Sequence, residues 1–307
     1  MLPSSQTHAD TGRGFNRNMG KIVRMISHDG AAFCIAIDST DMAAQAEQYH
    51  KTSAVITAAL GRLLTAASMM GTLLKGEKDS ITVRLAGDGP AGAFIAVADS
   101  RGNVKAYTGN PVVELPLNPL GKLDVSGAVG KTGTLTVIKD LGLKEPYIGQ
   151  TPIVSGEIAE DITNYFASSE QTPTVCALGV LVNPDLTVQA SGGFLLQLLP
   201  GAEDGVIDRL EKNIEALPPI SRMIADGVTP EEICRKALDG FEPEVLDTQE
   251  AAYKCDCSRE RVERALRSLG AEELRKMAEE QETTQVECHF CDRKYHFSRE
   301  EILKMAE

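Results

Sequence analysis

The 307-residue sequence contains no tryptophan, and aromatic residues make up only 5% of it. Its core must therefore be mostly aliphatic and rich in methionine. An excess of basic residues is also missing, because the formal net charge is −13. This charge argues against broad binding to nucleic acid or to anionic membranes, since both need clustered lysine and arginine.

Long apolar runs are missing as well. The longest weakly polar run, LLTAASMMGTLL, is too short to span a bilayer and contains Ser, Thr and Gly. The first 18 residues lack the apolar centre of a secretory signal. We predict that residues 1–18 are a disordered leader, natural or added, that precedes Met19. We expect no membrane partner and a cytoplasmic location, where thiols stay reduced.

The sequence is instead rich in short alternating segments, which are typical of antiparallel sheet. KIVRMISHDGAAFCIAIDS predicts two strands around an Asp29–Gly30 turn, and SITVRLAG, GAFIAVADS, NVKAYTG and GTLTVIKD predict further strands. SAVITAALGRLLTAASMMGTLLKG predicts a buried helix that ends at Gly76. We therefore predict that residues 19–201 form one α+β domain of antiparallel sheets packed with helices.

After Pro200 and Gly201 the sequence becomes strongly charged and helical in pattern. Thr229 and Glu232 form a predicted capping box around Pro230. We interpret residues 202–252 as a helical linker segment that is too small for its own core. Its apolar stripe must then rest on the first domain, and consists of Val206, Ile207, Leu210, Ile214 and Leu217.

The tail, residues 253–307, combines helical and hairpin patterns. Ser258 is a predicted helix cap, and Ser298 with Glu301 forms a second capping box. Between them, VECHFCDRKYHF predicts a hairpin with a tight knuckle. We predict that this tail is a small four-cysteine zinc domain.

The tail holds four of the seven cysteines, in a Cys-x-Cys pair and a Cys-x-x-Cys pair thirty residues apart: Cys255, Cys257, Cys288 and Cys291. Residues i and i+2 of an extended segment point to the same side, and a Cys-x-x-Cys turn also converges its sulfurs. Four thiolates suit tetrahedral zinc and leave no open position for hydrolytic chemistry. Metal binding would supply most of the folding free energy of so small a unit.

Three alternatives concern this cluster. His289 or His296 could replace one cysteine as a ligand, and an iron–sulfur cluster is possible in principle, although its usual spacings differ. The spacing also does not distinguish a permanent zinc clip from a redox switch, because zinc-bound thiolates keep their nucleophilic character toward oxidants.

Motifs for catalysis are missing from the sequence. The glycine clusters AGDGPAG and ASGGFLL match neither a P-loop nor a dinucleotide fingerprint, and no nucleophile elbow or His-Glu-x-x-His motif occurs. We therefore predict no catalytic residues and no enzyme. Cys34, Cys176 and Cys234 lie in apolar or amphipathic segments and read as small hydrophobic residues.

From about Met19 to its end the chain resembles the 33-kDa heat-shock proteins, the redox-regulated, ATP-independent holdase chaperones of bacteria. The resemblance rests on CDC, a thirty-residue gap and CHFC in the tail. It also rests on TAALGRLLTAASMMGTLLKG, GDGPAG, NPLGKLDVSGAVG, IVSGEIAEDITNYFASSEQTP, LVNPD and SGGFLLQLLPG in the first domain.

This resemblance implies a mechanism. One Zn²⁺ per chain on the four tail cysteines marks the reduced, inactive state. Oxidation forms disulfides, zinc leaves, the tail and linker unfold, and apolar surface captures unfolding client proteins under oxidative and heat stress. The active form is expected to be a homodimer. Of three possible connectivities we predict Cys255–Cys257 and Cys288–Cys291, because each pair is local, and the family pattern agrees.

Two other functions compete with a holdase. A zinc-knuckle protein that binds nucleic acid is disfavoured, because residues 255–307 hold ten Lys or Arg against thirteen Asp or Glu. An enzyme with a purely structural zinc site is disfavoured because the sequence offers no catalytic set.

Overall fold

The computed structural model describes residues 20–202 and 204–307, so the predicted leader at 1–18 lies outside the described part. The strands are β1 (Gly20–Ile26), β2 (Ala32–Asp38), β3 (Ser80–Gly87), β4 (Ala93–Asp99), β5 (Val104–Thr108), β6 (Gly133–Asp140), β7 (Tyr147–Pro152), β8 (Thr174–Val182), β9 (Val188–Leu198), β10 (Glu244–Ala251), β11 (Thr283–Glu287) and β12 (Lys294–Ser298). The helices are α1 (Thr40–His50), α2 (Ala54–Gly71), α3 (Val125–Val129), α4 (Ala159–Tyr165, continued by a π-helical turn over Phe166–Glu170), α5 (Asp204–Glu215), α6 (Ile220–Ala225), α7 (Pro230–Ala237), α8 (Arg259–Arg267), α9 (Ala271–Glu280) and α10 (Arg299–Met305).

Two antiparallel five-stranded sheets form the body of the protein, which confirms the predicted α+β class. The first sheet has the order β10-β1-β2-β9-β8 and the second has the order β5-β4-β3-β6-β7. Both pack on helix α2, whose residues belong to the same apolar cluster as the inward faces of the sheets. The predicted hairpin β1–β2 is present, and β8 and β9 form a second hairpin.

Helix α2 has the length and composition of a membrane span, with a mean hydropathy of 1.4 over 18 residues, but 89% of it is buried inside the protein. It is the central core helix. It ends at Gly71, five residues before the predicted stop at Gly76. The Thr72 hydroxyl donates to the Met69 carbonyl at 2.7 Å. The backbone amides of the two residues after Thr72 donate to the carbonyls three residues before them, which tightens the last turn and ends the helix.

The middle of the chain covers the outer face of the first sheet. Leu210 of α5, Met223 of α6 and Ile233 of α7 share one apolar cluster with Val23 of β1 and Phe194 of β9. The predicted capping box of Thr229 and Glu232 is present. Of the predicted apolar stripe, Leu210 is buried and Val206, Ile214 and Leu217 pack against this cluster, whereas Ile207 is 41% exposed. The domain boundaries at residues 201 and 252 remain predictions.

The helical interpretation of residues 202–252 is wrong for its last part. Residues 244–251 form strand β10, which pairs antiparallel with β1. The chain reverses just before it, where Gly240 and Glu242 take positive φ angles of 79° and 47°. A charged segment such as EVLDTQEA carries little strand signal by itself, so long-range pairing with β1 decides its structure.

The tail forms a small separate cluster of helices around the β11–β12 hairpin. Phe297 and Ile302 are fully buried in it, together with Leu266, Leu274 and neighbouring apolar side chains. The predicted caps are present: the Ser258 side chain accepts from the amide of Arg261, and Ser298 and Glu301 form a capping box.

Candidate metal centre

Two loops bring the four predicted cysteines together. Cys255 and Cys257 lie in the extended stretch between β10 and α8, while Cys288 and Cys291 lie in the loop that joins β11 to β12. That loop is a tight turn, because the amides of Cys291 and Asp292 both donate to the carbonyl of Cys288. The hairpin therefore holds its two sulfurs on one side, facing the Cys-x-Cys stretch.

The four sulfurs fit one tetrahedral metal ion. All four lie within 4.8 Å of one another, Cys255 Sγ is 3.6 Å from Cys288 Sγ, and Cys257 Sγ is 3.4 Å from Cys291 Sγ. A tetrahedral zinc with Zn–S of about 2.3 Å needs sulfurs about 3.8 Å apart. An all-sulfur set of this size favours a soft or borderline cation such as Zn²⁺ over calcium or magnesium, which prefer oxygen ligands.

The thiols of the cluster differ in acidity. Burial raises the pKa of Cys255, and raises the pKa of Cys291 to about 11. Burial also opposes ionisation of Cys257, but a hydrogen bond from the Tyr295 hydroxyl at 3.0 Å, with bonds from the neighbouring thiols, lowers its pKa to about 7. Tyr295 thus stabilises one thiolate, as groups next to a metal ligand commonly do.

The two histidines considered as alternative ligands, His289 and His296, are both exposed. His289 is exposed and its ring stacks on Tyr107 of β5, with centroids 5.4 Å apart. His296 is exposed on β12, opposite Gln285. Among the described residues, neither histidine belongs to the group formed by the four sulfurs.

The cysteine loops rest on the second sheet, a contact that the sequence did not reveal. The Tyr253 hydroxyl lies 2.8 Å from the carbonyl of Ala106 and 2.5 Å from that of Phe290, which share its single proton, and so joins β5 to the Cys288–Cys291 loop. Lys105 pairs with Asp256, and its ammonium lies 5.0 Å from the centre of the Phe290 ring. Residues far apart in the chain make these contacts, so local sequence motifs do not predict them.

A second contact joins the same loop to helix α1. His50 Nδ1 lies 3.4 Å from the carboxylate of Asp292, next to Cys291, and His50 Nε2 lies 2.9 Å from the carbonyl of Ala106. The metal centre is therefore not an independent appendage. If the metal centre loses its shape, β5 and α1 lose their contacts with the cysteine loops.

The three other cysteines are buried, as predicted. Burial raises the pKa of Cys176 to about 12, and burial together with the neighbouring Cys234 raises that of Cys34 well above its usual value. Thiols in this state are poor nucleophiles. The thiol whose pKa is lowered, Cys257, lies in the tail.

Comparisons with known proteins agree with this combination of fold and site. A sequence model described as "Hsp33 protein" matches residues 20–298. The 33 kDa chaperonin of Clostridioides difficile (strain 630) is 48% identical over 284 residues, which cover 92% of this chain and 97% of that protein. The 33 kDa chaperonin of Alkaliphilus metalliredigens (strain QYMF) is 46% identical over 282 residues, with coverage of 92% and 97%.

A solved structure gives the same answer. The crystal structure of the 33 kDa chaperonin, heat shock protein 33 homolog, from Thermotoga maritima superposes with a TM-score of 0.87. It is 37% identical to this chain, and the match covers 94% of this chain and 98% of that one. The fold, the four-cysteine tail and these relatives together define a molecular chaperone. The chain belongs to the Hsp33 family.

Proposed function

We propose that this chaperone is an ATP-independent holdase that oxidation switches on. The observation that carries the proposal is the cluster of four thiols within 4.8 Å, which closes a tail whose own apolar core is small. The tail depends on metal binding for its folding energy, and its four metal ligands are thiols that oxidants can modify. Oxidation can therefore switch the tail between a folded and an unfolded state. The switch reading is preferred to the permanent clip because the cluster also anchors residues that contact the body of the protein.

In the reduced state, Cys255, Cys257, Cys288 and Cys291 would hold one Zn²⁺. The bound ion supplies folding free energy, about 10–16 kcal/mol for structural zinc in small domains at neutral pH. The chain's own residues then keep the tail docked: Tyr253 bridges to Ala106, and Lys105 pairs with Asp256. In this state the apolar surfaces under the middle helices stay covered.

Oxidation removes the ligands. One molecule of peroxide takes two electrons from a pair of thiolates, so that an S–S bond forms, the O–O bond breaks and two hydroxides leave. Two such steps turn the four thiolates into the disulfides Cys255–Cys257 and Cys288–Cys291. A disulfide offers no thiolate to a metal, so the tail loses the folding energy of the site.

The unfolded tail then loosens the middle of the chain. Helices α5, α6 and α7 lie on the first sheet through an apolar interface that includes Leu210, Met223 and Ile233. These helices form no separate core, and elements of this kind open at low free-energy cost. Their release uncovers apolar surface on the helices and on the first sheet, and unfolding proteins bind to surface of this kind.

Partners and location are part of the same proposal. The ligands are unfolding client proteins, bound in the cytoplasm under oxidative and heat stress, with no role for nucleic acid or membrane. The active form is a homodimer. The net charge of −13 helps to keep a client-loaded chaperone soluble.

Light scattering of a heat-denatured client tests the proposed function. The oxidised protein should suppress aggregation without ATP, and the same protein kept in reductant should not. Equal protection by both forms would rule out redox control, and protection by neither would rule out the holdase.

The first prediction concerns the metal. We expect about one zinc per reduced chain, with X-ray absorption showing only sulfur ligands, because all four sulfurs lie within 4.8 Å of one another. A nitrogen ligand in the spectrum would remove one cysteine from the set and bring in His289 or His296. A chain purified with iron in place of zinc would contradict the assignment of the metal.

The second prediction concerns the disulfides. Peptide mapping of the oxidised protein should find Cys255 joined to Cys257 and Cys288 joined to Cys291. The folded cluster places Cys255 Sγ near Cys288 Sγ and Cys257 Sγ near Cys291 Sγ, so cross-loop pairing is the competing result. Local pairing is expected because the tail unfolds as ligands are lost, and short loops close at the lowest entropic cost. A Cys255–Cys288 bridge as the main product would contradict it.

A further inference from the structure

One extended segment closes an edge of both large sheets. We call residues 244–254 the edge segment. Its first part, β10, lies along β1 from Glu244, opposite Ile26, to Ala251, opposite Gly20. Its last part lies along β5, where the Val104 amide donates to Ala252 and the Lys254 amide donates back to Val104. Cys255 follows directly, so the edge segment ends at the metal centre.

The edge segment is held mainly by its backbone. Within β10 only Ala251 is buried, while Val245 and Leu246 are 42% and 52% exposed. A charged pair adds to the ladder, because Arg24 Nε lies 2.9 Å from both carboxylate oxygens of Asp247. Both side chains are partly exposed, so solvent screens the attraction between them. A strand with so little apolar contact separates from a sheet more easily than the strands of the core.

The strand beneath it is very different. Ile22, Val23 and Met25 of β1 are fully buried, and they project into the apolar clusters on both sides of the first sheet. Removing β10 would leave β1 as the edge of a well-anchored sheet, with a row of unpaired amides and carbonyls. An edge of this kind pairs readily with any extended chain.

We propose that the outer edge of β1 is a client-binding site, and that an extended segment of an unfolding polypeptide replaces β10 there by antiparallel strand addition. The proposal rests on the proposed function and names the binding surface within it. The edge segment itself shows what fits, because an extended stretch of chain occupies the edge in the closed state. Main-chain hydrogen bonds would give binding that is largely independent of client sequence, as strand addition does elsewhere.

The position of Tyr253 couples this edge to the cysteines. Tyr253 lies two residues before Cys255, and its hydroxyl is within hydrogen-bond distance of the carbonyls of Phe290, in the Cys288–Cys291 loop, and Ala106, on β5. When the cysteine loops lose their shape, the edge segment loses this anchor and its junction with Val104. The edge segment can then separate first from β5 and next from β1.

Amide hydrogen exchange along β1, resolved by NMR, tests the proposal. Amides of an antiparallel strand alternate in direction, so some β1 amides bond to β10 and the others bond to β2. We expect the first set to be protected in the reduced protein, to lose protection after oxidation, and to regain it when an unfolded client is added. The second set should stay protected throughout and serves as the internal control.

The outcomes separate this proposal from the proposed function. If the oxidised protein suppresses client aggregation while the β10-facing amides never lose protection, or lose it and do not regain it with client, strand addition at β1 is wrong and the redox holdase stands. If the oxidised protein binds no client, the proposed function itself has failed.

A matched pair of proline variants releases the strand without touching a cysteine. Thr248 and Gln249 are neighbours in β10, so the amide of one points toward β1 and the amide of the other points away. Thr248→Pro and Gln249→Pro thus differ in whether a ladder hydrogen bond is lost. We expect the variant that exposes the β1 amides to suppress aggregation in reductant with its zinc retained, and its neighbour to stay inactive. Exposed β1 amides without client protection, or equal protection by both variants, would overturn the proposal.

Discussion

Replacing Cys288 by serine is expected to make the chaperone active in the presence of reductant. Three thiolates remain, the closed tetrahedral shell is lost, and zinc affinity should fall by orders of magnitude, since structural zinc contributes about 10–16 kcal/mol to small domains. The tail should lose helix and protease resistance, while the body of the protein, which has its own core, stays folded. Light scattering of a heat-denatured client, with excess reductant, compares the variant with the parent protein.

Cys176→Ser is the matched control, because it makes the same chemical change in β8, away from the cluster. It should keep its zinc and stay inactive when reduced. The proposed coupling is wrong if Cys288→Ser lacks zinc and has a proteolytically open tail, yet protects no client at any temperature that leaves the body folded. Helices α5 to α7 would then stay docked without the tail.

Replacing Phe297 by alanine is expected to open the tail with all four cysteines intact. Phe297 is fully buried in the small tail cluster, and Arg259 lies over its ring at 4.3 Å. Truncation of a buried phenylalanine costs about 3–5 kcal/mol, a large share of what so small a core supplies. The variant should release zinc to a chelator at lower concentration than the parent, and should bind clients partly in reductant.

Leu303→Ala is the control for this prediction. Leu303 lies on α10 in the same tail and is 41% exposed, so its truncation should change chelator sensitivity very little. Equal chelator sensitivity in Phe297→Ala and the parent protein would show that metal coordination alone holds the tail. The account requires the small core and the zinc site to fold together.

Local patterns explain which parts of the structure were predictable. The alternating segments predicted the β1–β2 hairpin, and the caps at Thr229, Ser258 and Ser298 were predicted from neighbouring residues. The four cysteines also carried their own signal, because Cys-x-Cys and Cys-x-x-Cys converge their sulfurs by local geometry.

Long-range contacts explain the rest. Strand β10 has a charged sequence and becomes a strand only through pairing with β1, so its own residues pointed to helix. The end of α2 at Gly71 depends on a turn that Thr72 stabilises, whereas the sequence pattern predicted an end at the later Gly76. The contacts of Tyr253 with Ala106 and Phe290 join three distant parts of the chain. The periodicity of a single sequence does not predict contacts of this kind.

The most direct test of the central claim is a count of zinc and of free thiols on one sample before and after peroxide, alongside client protection. The account predicts about one zinc and seven free thiols per reduced chain, without protection. After oxidation it predicts no bound zinc and three free thiols, those of Cys34, Cys176 and Cys234, with protection gained in step with the loss of zinc. Full client protection while zinc and all seven thiols remain in place would contradict it.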